Sequence, residues 1–313
     1  MPLKNSRNIL DIYLKRRAIV KIMGKAKQIE KSQGKRWVEV IDSKGGLLSF
    51  RFDEIWKYRH LLQMFIKRDI ASTYRQTILG PLWFLIQPLL TTITFTFIFG
   101  KFAALSSDGL PRTVFYLSGI ILWNFFSESF QKISAVLKSN SGIFGKIYFP
   151  RLIMPLTIIA SSFIRLMIQY VTFLIILMYF LLNDTPLIHP NSMVLLTPLL
   201  ILIIAGISLG AGMIFASLTI KYRDLVFLLA FGVNLLMFAT PVIYPLSSIP
   251  KDNLAIAQAN PLSAVIEAFR YAYLGTGSFS WGSLSYSFIF MVVMLLMGIF
   301  AFKKAEKTFI DSI

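Results

Sequence analysis

The chain of 313 residues contains no cysteine, only two histidines, and 15 acidic residues against 32 Lys and Arg. Without cysteine it can form neither disulfides nor thiolate metal sites. The histidines, His60 and His189, lie beside apolar stretches or in loops, so they indicate neither an intramembrane acyl-transfer base nor a metal cluster. The chain also lacks the pattern G-x-x-x-x-G-K-S/T, which excludes ATP binding by a P-loop.

Charge of either sign is scarce, and apolar residues dominate. Charged residues make up 15% of the chain and apolar residues 56%, more than a soluble fold of this size could bury. Low-charge stretches lie at 76–100, 113–131, 152–181, 193–220, 225–246 and 280–302. The first is charge-free and long enough to cross a hydrocarbon core of about 30 Å. The sequence therefore predicts an all-α polytopic membrane protein with six transmembrane helices.

The basic residues lie mainly on one side of these stretches. Only five of the 32 lie elsewhere: Arg165 within the third stretch, and Lys101, Arg112, Lys251 and Arg270 in predicted outer segments. The positive-inside rule then places both termini in the cytoplasm. This clustering accounts for the net charge of +17, so no nucleic-acid partner is expected.

The composition also predicts four regions. Residues 1–54 form a basic cytoplasmic extension, in which alternation around 42–46 indicates a short β-hairpin or else a disordered linker. In residues 55–80, basic and apolar residues alternate at helical spacing, typical of an amphipathic helix on an anionic membrane surface. Residues 81–304 form the transmembrane domain and 305–313 a cytoplasmic tail. No long apolar stretch precedes residue 76, so we expect no cleavable signal peptide.

The outer segment between the fifth and sixth stretches has helix signals of its own. Asn260 can cap a helix, Pro261 suits its first position, and Gly275 can end it. Before it, the segment 239–245 contains two prolines that break the fifth stretch, and the freed backbone groups need partners within the protein. We expect outer re-entrant helices here.

Two charges fall inside the predicted spans, where an unpaired charge is costly. Arg165 lies in the third span and Glu128 in the inner part of the second, so the two can pair if these spans are neighbours. The residues either line a polar pathway or brace the helices, and the sequence favours neither role.

The first span carries a stripe of polar and aromatic residues at intervals of four, four and three: Trp83, Gln87, Thr91 and Thr94. Such spacing places them on one helical face. Such a polar stripe suits the wall of a pathway through the membrane. Alternatively, the threonines bond back to their own helix.

The segment Gly206-Ile207-Ser208-Leu209-Gly210 matches the nucleophile elbow of hydrolases in letters alone. It lies inside an apolar stretch with no strand before it, which argues against a hydrolase. The glycine spacing, with Gly212 half a turn further on, favours close helix packing.

Five separated segments resemble one family in order and spacing: QTILGPLWFLIQPLL, FYLSGIILWNFFSES, NSGIFGKIYFPRLIMPL, KYRDL and NPLSAVIEAFRYAYLG. They are similar to the permease subunits of type-2 ABC exporters for bacterial surface polysaccharides, particularly O-antigen and teichoic-acid permeases. The resemblance covers roughly residues 55–303 and excludes the N-terminal extension.

This resemblance implies a homodimeric permease in the bacterial cytoplasmic membrane, which exports a lipid-linked glycan such as O-antigen, teichoic acid or capsule. Two copies of a separate ATPase subunit would bind ATP and Mg, leaving this chain without catalytic residues or cofactor. Residues 57–77 would form a gate helix, and 260–275 would close the exit. The stripe on the first span would line the channel for the sugar chain, with Tyr244 near its outer mouth. The implied ATPase-docking residues are Gly142, Phe144, Gly145, Lys146, Ile147, Tyr148, Lys221, Tyr222, Arg223 and Asp224.

Other functions would leave different signals. A type-2 ABC exporter of a drug or another lipid would share the whole architecture. An ion-coupled transporter usually needs intramembrane carboxylates, and only Glu128 qualifies. A membrane-embedded glycosyltransferase would need paired carboxylates in a large loop, which this sequence does not contain.

Overall fold

The computed structural model describes residues 56–75, 77–144, 149–183, 187–222 and 224–310. Within these ranges every regular element is helical, which agrees with the predicted all-α class. The N-terminal extension and its predicted β-hairpin lie outside the described residues.

The α-helices follow one another along the whole described chain, with short 3-10 segments before several of them. In chain order they are α1 Arg59–Tyr74, α2 Trp83–Phe95, α3 Arg112–Ser134, α4 Val136–Ser139, α5 Ser141–Phe144, α6 Ile153–Leu182, α7 Thr197–Thr219, α8 Leu225–Phe238, α9 Lys251–Ala259, α10 Pro261–Leu274 and α11 Trp281–Ile310. A π-helix, Thr96–Phe102, continues α2. Helix α1 lies within the amphipathic segment predicted at 55–80.

Four helical segments are long and apolar enough to cross a membrane: Gly80–Phe102, Ile153–Leu182, Ser192–Thr219 and Trp281–Glu306. The prediction of a multi-pass membrane protein is thereby confirmed. Helix α3 falls outside this set, and α8 has only 14 residues. The count of six spans remains a prediction.

Helix α8 ends at Phe238, directly before the segment 239–245 where the sequence predicts a break in the fifth stretch. The reason lies in the next residues. Pro241 has no N–H to donate to a helix, and the carbonyls of Pro241 and Val242 accept hydrogen bonds from the Arg270 side chain. The chain therefore turns here and leads into α9.

The predicted helix at 260–275 is confirmed as α10. The side-chain oxygen of Asn260 accepts a hydrogen bond from the Leu262 N–H at 3.0 Å, and Pro261 occupies the first helical position. Gly275 ends the helix in the left-handed conformation, with φ 76°. Helices α9 and α10 follow each other with only Asn260 between them, and we call this pair the α9–α10 hairpin.

Helices α7 and α11 approach each other at the predicted glycines. A Cβ on Gly210 would lie 2.5 Å from the Met294 backbone, and one on Gly298 would overlap the Gly210 backbone. The prediction of close packing is confirmed. Ser208 is fully buried in α7 and donates to the Ala205 carbonyl, so the letters of a nucleophile elbow carry no exposed hydroxyl here.

Two apolar clusters mark the two ends of the bundle. The larger surrounds α3, where α6, α7 and α10 meet it, and extends to the α9–α10 hairpin, which we call the hairpin end. The smaller joins Phe65 of α1 to Phe149, Met213 and Phe302. Because Arg68, Lys132 and Arg151 lie around it, we call this the basic end.

Candidate functional site

Arg165, in the middle of the bundle, joins four helices. Arg165 is only 2% exposed, and its Nε lies 3.0 Å from a carboxylate oxygen of Glu128 in α3. Its Nη1 lies 3.6 Å from a carboxylate oxygen of Asp69 in α1, while the guanidinium stands 5.7 Å from the Phe84 ring centroid of α2. Its Nη2 also donates to Ser162 at 3.2 Å. The structure therefore brings Glu128 and Arg165 together and adds Asp69 to them.

Glu128 is less buried than the sequence suggests. Its side chain is 34% exposed, and its carboxylate also pairs with Lys132 of the same helix at 2.9 Å. Arg165 is therefore buried within this chain, whereas Glu128 is partly exposed. The Glu128 carboxylate therefore contacts the buried Arg165 on one side and is accessible to solvent on the other.

A cavity of about 450 Å³ opens at the basic end beside this cluster. Helices α1, α3, α6 and α8 contribute to its wall. Polar side chains on the wall include Arg68, Asp69, Gln131, Lys132 and Asn140, and apolar ones include Met154, Ile158, Val226 and Leu229. Cations beside an apolar wall suit an amphipathic anion such as a lipid headgroup. Asp69 belongs to both the cavity and the Arg165 cluster.

The predicted docking turn between α3 and α6 is described up to residue 144 and again from 149. Gly142 is exposed and has no neighbour within 4 Å of a Cβ position. Phe144 is 9% exposed and packs against Phe149 at 5.7 Å between ring centroids, and its docking role stays a prediction. Residues of the same chain, Phe149 and Arg151, cover the Phe144 ring. Gly145, Lys146, Ile147 and Tyr148 lie outside the described residues.

Arg151 ties this turn to the end of the last helix. Its guanidinium stands 5.3 Å from the centroid of the Phe144 ring and donates to the Glu306 carbonyl at 3.2 Å. Burial lowers the pKa of this guanidinium, and the Glu306 carboxylate partly offsets that effect. A movement of the turn would therefore reach α11 directly.

The second predicted docking segment connects α7 and α8. Lys221, Tyr222 and Asp224 are exposed, and the Lys221 ammonium stands 5.4 Å from the Tyr222 ring centroid. Arg223 lies outside the described residues. The exposed side chains leave this short connection open to a partner.

The stripe on α2 lies on a face that the other described residues leave open. Trp83 is 45% exposed, and Gln87 and Thr94 are also exposed. Thr91 is half-buried and donates to the Gln87 carbonyl at 2.9 Å, so its hydroxyl bonds within the helix. The opposite face, with Pro88 and Thr92, is buried against the bundle.

Tyr244 donates its hydroxyl to the Phe238 carbonyl at 3.0 Å, which closes the turn after α8. Beside it, Arg270 of α10 is 1% exposed and fixes the same turn through two carbonyl oxygens, Pro241 at 2.6 Å and Val242 at 2.7 Å. The guanidinium also pairs with Glu267 at 3.2 Å. We call this group the Arg270 clasp.

Sequence reasoning missed Asp69, Arg151 and the Arg270 clasp. Asp69 is the only carboxylate of α1, amid its basic and apolar residues, and that isolation was a usable signal. Arg270 gave a signal too, since it lies on a helix after a proline-broken span that needs donors. No sequence feature pointed to the pairing of Arg151 with the distant Glu306.

Comparison with known proteins gives one family and several relatives. A model of the ABC-2 type transporter family matches residues 60–274. The O-antigen export system permease protein RfbA of Klebsiella pneumoniae is 25% identical over 252 residues, which cover 80% of this chain and 94% of that protein.

Two further relatives have similar coverage. RfbA of Myxococcus xanthus, also named an O-antigen export system permease protein, is 24% identical over 69% of this chain and 81% of its own length. The polysialic acid transport protein KpsM of Escherichia coli is 27% identical over 78% of this chain and 93% of its own. Because the family model spans more than half of the sequence, the chain belongs to the ABC-2 type transporter family.

Proposed function

We propose that this chain is the permease subunit of an ATP-driven exporter that moves a lipid-linked polysaccharide across the bacterial cytoplasmic membrane. The observation that carries the proposal is the similarity to O-antigen and polysialic acid export proteins over 80% and 78% of the chain. The exposed amide and hydroxyl groups of α2 support it, because an open polar face on a membrane helix needs a polar neighbour.

In the proposed topology the basic end faces the cytoplasm, as the positive-inside rule requires. The spans are α2 with its π-helix, α3, α6, α7, α8 and α11, and both termini are cytoplasmic. Helix α8, of 14 residues, is too short to cross alone. The turn held by the Arg270 clasp and the α9–α10 hairpin complete that crossing from the outer side.

The glycan pathway lies between two copies of the chain. The face of α2 with Trp83, Gln87 and Thr94 is open in a single copy, and α8 is also widely exposed at Phe227 and Phe231. Two such faces in a dimer would enclose a lining of aromatic rings, amides and hydroxyls. The cavity with Arg68 and Lys132 would receive the lipid-linked end at the inner side.

A dimeric ATPase subunit, which binds ATP and Mg, would dock on the turn around Gly142 and on the connection Lys221–Asp224. The buried contacts of Phe144 with Phe149, and of Arg151 with Glu306, would then carry its movement into the bundle. Purified permease alone should hydrolyse no ATP, because it has no P-loop.

Docking can be tested at Gly142, where a larger side chain has room in the permease itself. We expect Gly142→Leu to reduce co-purification of a co-expressed ATPase subunit at least about tenfold, since hot-spot changes at interfaces cost about 2 kcal/mol or more. The melting temperature of the permease should not change. Gly282→Leu, which changes another exposed glycine at the hairpin end, is the control. Normal co-purification of the Gly142 variant would remove this turn from the interface.

The function itself is tested in cells that lack this chain. Surface polysaccharide should disappear and lipid-linked polysaccharide should accumulate on the inner side of the membrane, and the intact chain should reverse both. An unchanged surface polysaccharide, with loss of export of a drug or of another lipid, would assign the permease to that substrate instead.

A further inference from the structure

A second cavity lies at the hairpin end, apart from the Arg165 cluster. Its volume is about 500 Å³, and its wall consists of Ile93, Thr96, Phe97, Lys101, Arg112 and Thr113. The first four belong to the end of α2 and its π-helix, and the last two begin α3. Two cations, two hydroxyls and an apolar wall therefore meet at one place.

The backbone is irregular where the cavity forms. Residues Thr96–Phe102 adopt a π-helix, which turns their side chains relative to an α-helix and often marks functional sites. A Cβ on Gly100 would lie 2.5 Å from Cδ of Arg112, so the missing side chain lets the Arg112 stem cross the helix. The Arg112 guanidinium therefore lies against Gly100, and Arg112 and Lys101 line the same cavity.

Lys101 and Arg112 form no ion pair with a carboxylate of the described residues. The Lys101 ammonium stands 5.7 Å from the centroid of the Phe97 ring, and Asp108 accepts instead from Ser247 at 2.7 Å. Two cations on the wall of one cavity repel each other, and an anion bound in that cavity would relieve the repulsion.

Thr96 of the cavity wall has a hydroxyl without a partner. Its oxygen is inaccessible to solvent and has no hydrogen-bond partner among the described residues, which costs free energy. A change of the χ1 rotamer of Thr96 would turn the hydroxyl toward a ligand in the cavity. The first turn of α3, with Arg112 and Thr113, also leaves backbone N–H groups without intrahelical partners.

The apolar side has the form expected for a lipid chain. Ile93 is 62% exposed and Phe97 52%, and Leu90, one turn further into the membrane-spanning part, is 54% exposed. The site therefore fits an amphipathic anion, because cations lie at one end of it and exposed apolar side chains continue from there along α2. Inorganic phosphate would contact only the cations and hydroxyls.

We propose that this cavity binds the phosphate group of a membrane lipid in the leaflet at the hairpin end. Lys101 and Arg112 pair with the phosphate, the threonine hydroxyls donate to it, and the lipid chain lies along Ile93 and Phe97. The phosphate belongs either to a bulk phospholipid or to a lipid carrier that arrives with its glycan. The site's place at the outer mouth of the pathway rests on the proposed function, whereas lipid binding as such does not.

The test measures lipid binding to the full-length permease by native mass spectrometry, after removal of co-purified lipid. The probes are phosphatidylglycerol, a polyprenyl diphosphate and phosphate-free diacylglycerol. We expect the two phosphate lipids to bind, and Lys101→Gln with Arg112→Gln to weaken them about tenfold or more, because hydrogen bonds to charged groups are the stronger ones. Preference for the diphosphate identifies the carrier, and equal binding identifies bulk lipid headgroups.

Two further variants keep the result interpretable. Thr96→Val preserves shape and removes only the hydroxyl, so it should weaken the phosphate lipids without affecting diacylglycerol. Lys251→Gln changes a lysine of α9 outside the cavity and should have no effect. Equal binding of diacylglycerol, or unchanged phosphate-lipid affinity in the double and Thr96 variants, would overturn the proposal. Since no ATPase or glycan is present, a failure of the export assignment would leave this measurement unaffected.

Discussion

At the scale of single residues, Arg165 shows how one buried cation can connect a surface helix to the membrane-spanning bundle. It pairs with Glu128 of α3 and with Asp69 of α1. Removal of either carboxylate leaves the guanidinium under-compensated at 2% exposure. After the loss of one carboxylate, the other still pairs with the guanidinium, so the loss of stability from either single change is smaller than the loss of both would be.

A double-mutant cycle measures this pair. We expect Arg165→Met and Glu128→Gln each to lower the melting temperature of the detergent-solubilised permease, and the double variant to lose less than their sum. Residues in one ion-pair network usually couple by about 0.5–3 kcal/mol. Glu306→Gln, a change in the distant Arg151 pair, should add to Arg165→Met without coupling. Losses that add fully for Arg165 and Glu128 would contradict the pairing.

Arg270 is the second residue whose removal should be costly. It is fully enclosed and serves the Pro241 and Val242 carbonyls together with Glu267. Arg270→Met leaves Glu267 charged and the carbonyls without a donor, so we expect a loss of roughly 3–5 kcal/mol, the usual cost of breaking a buried pair. Thermal unfolding measures it. A melting temperature equal to that of the unchanged protein would refute the role of the clasp.

At the scale of helices, the packing of α7 on α11 depends on glycine. Gly210→Ala places a methyl group 2.5 Å from the Met294 backbone, which two helix backbones cannot relieve by a side-chain rotation. We expect a loss of about 1–3 kcal/mol, as for other overpacked contacts.

Gly232→Ala in α8 is the matched control, because nothing lies within 4 Å of its Cβ position. It should be neutral or slightly stabilising, since alanine favours a helix by up to about 1 kcal/mol over glycine. Equal effects of the two substitutions on thermal unfolding would show that close packing does not decide the stability of α7 and α11.

At the scale of the whole molecule, the sequence reveals the helices better than their contacts. Charge-free stretches bounded by Lys and Arg predict the long helices, and Asn260 and Gly275 predict the limits of α10. The break after α8 is also predicted, from its prolines, but the donors that satisfy its carbonyls are not, because they belong to Arg270, 28 residues beyond Val242. Likewise, the burial of Phe144 depends on Phe149 and Arg151, which only the folded chain places around it.

The same holds for the candidate pathway. Helical spacing groups Trp83, Gln87 and Thr94, but it does not tell which neighbouring positions share their exposure. Helical spacing places Ile93 away from the stripe, yet Ile93 is 62% exposed. Thr92, beside it in the chain, is only 1% exposed. Thr92 is therefore the proper buried reference for an accessibility experiment on α2.

The central claim is that the open face of α2 lines a glycan pathway, and cysteine accessibility tests it most directly. The chain has no cysteine, so single cysteines at 87, 94 and 92 can be read without background. In membranes with the ATPase present and glycan synthesis blocked, a water-soluble thiol reagent should label positions 87 and 94 and leave 92 unlabelled. When synthesis resumes, glycan in the pathway should protect 87 and 94. Equal labelling of 87 and 94 with and without glycan, or no labelling in either state, would contradict the account.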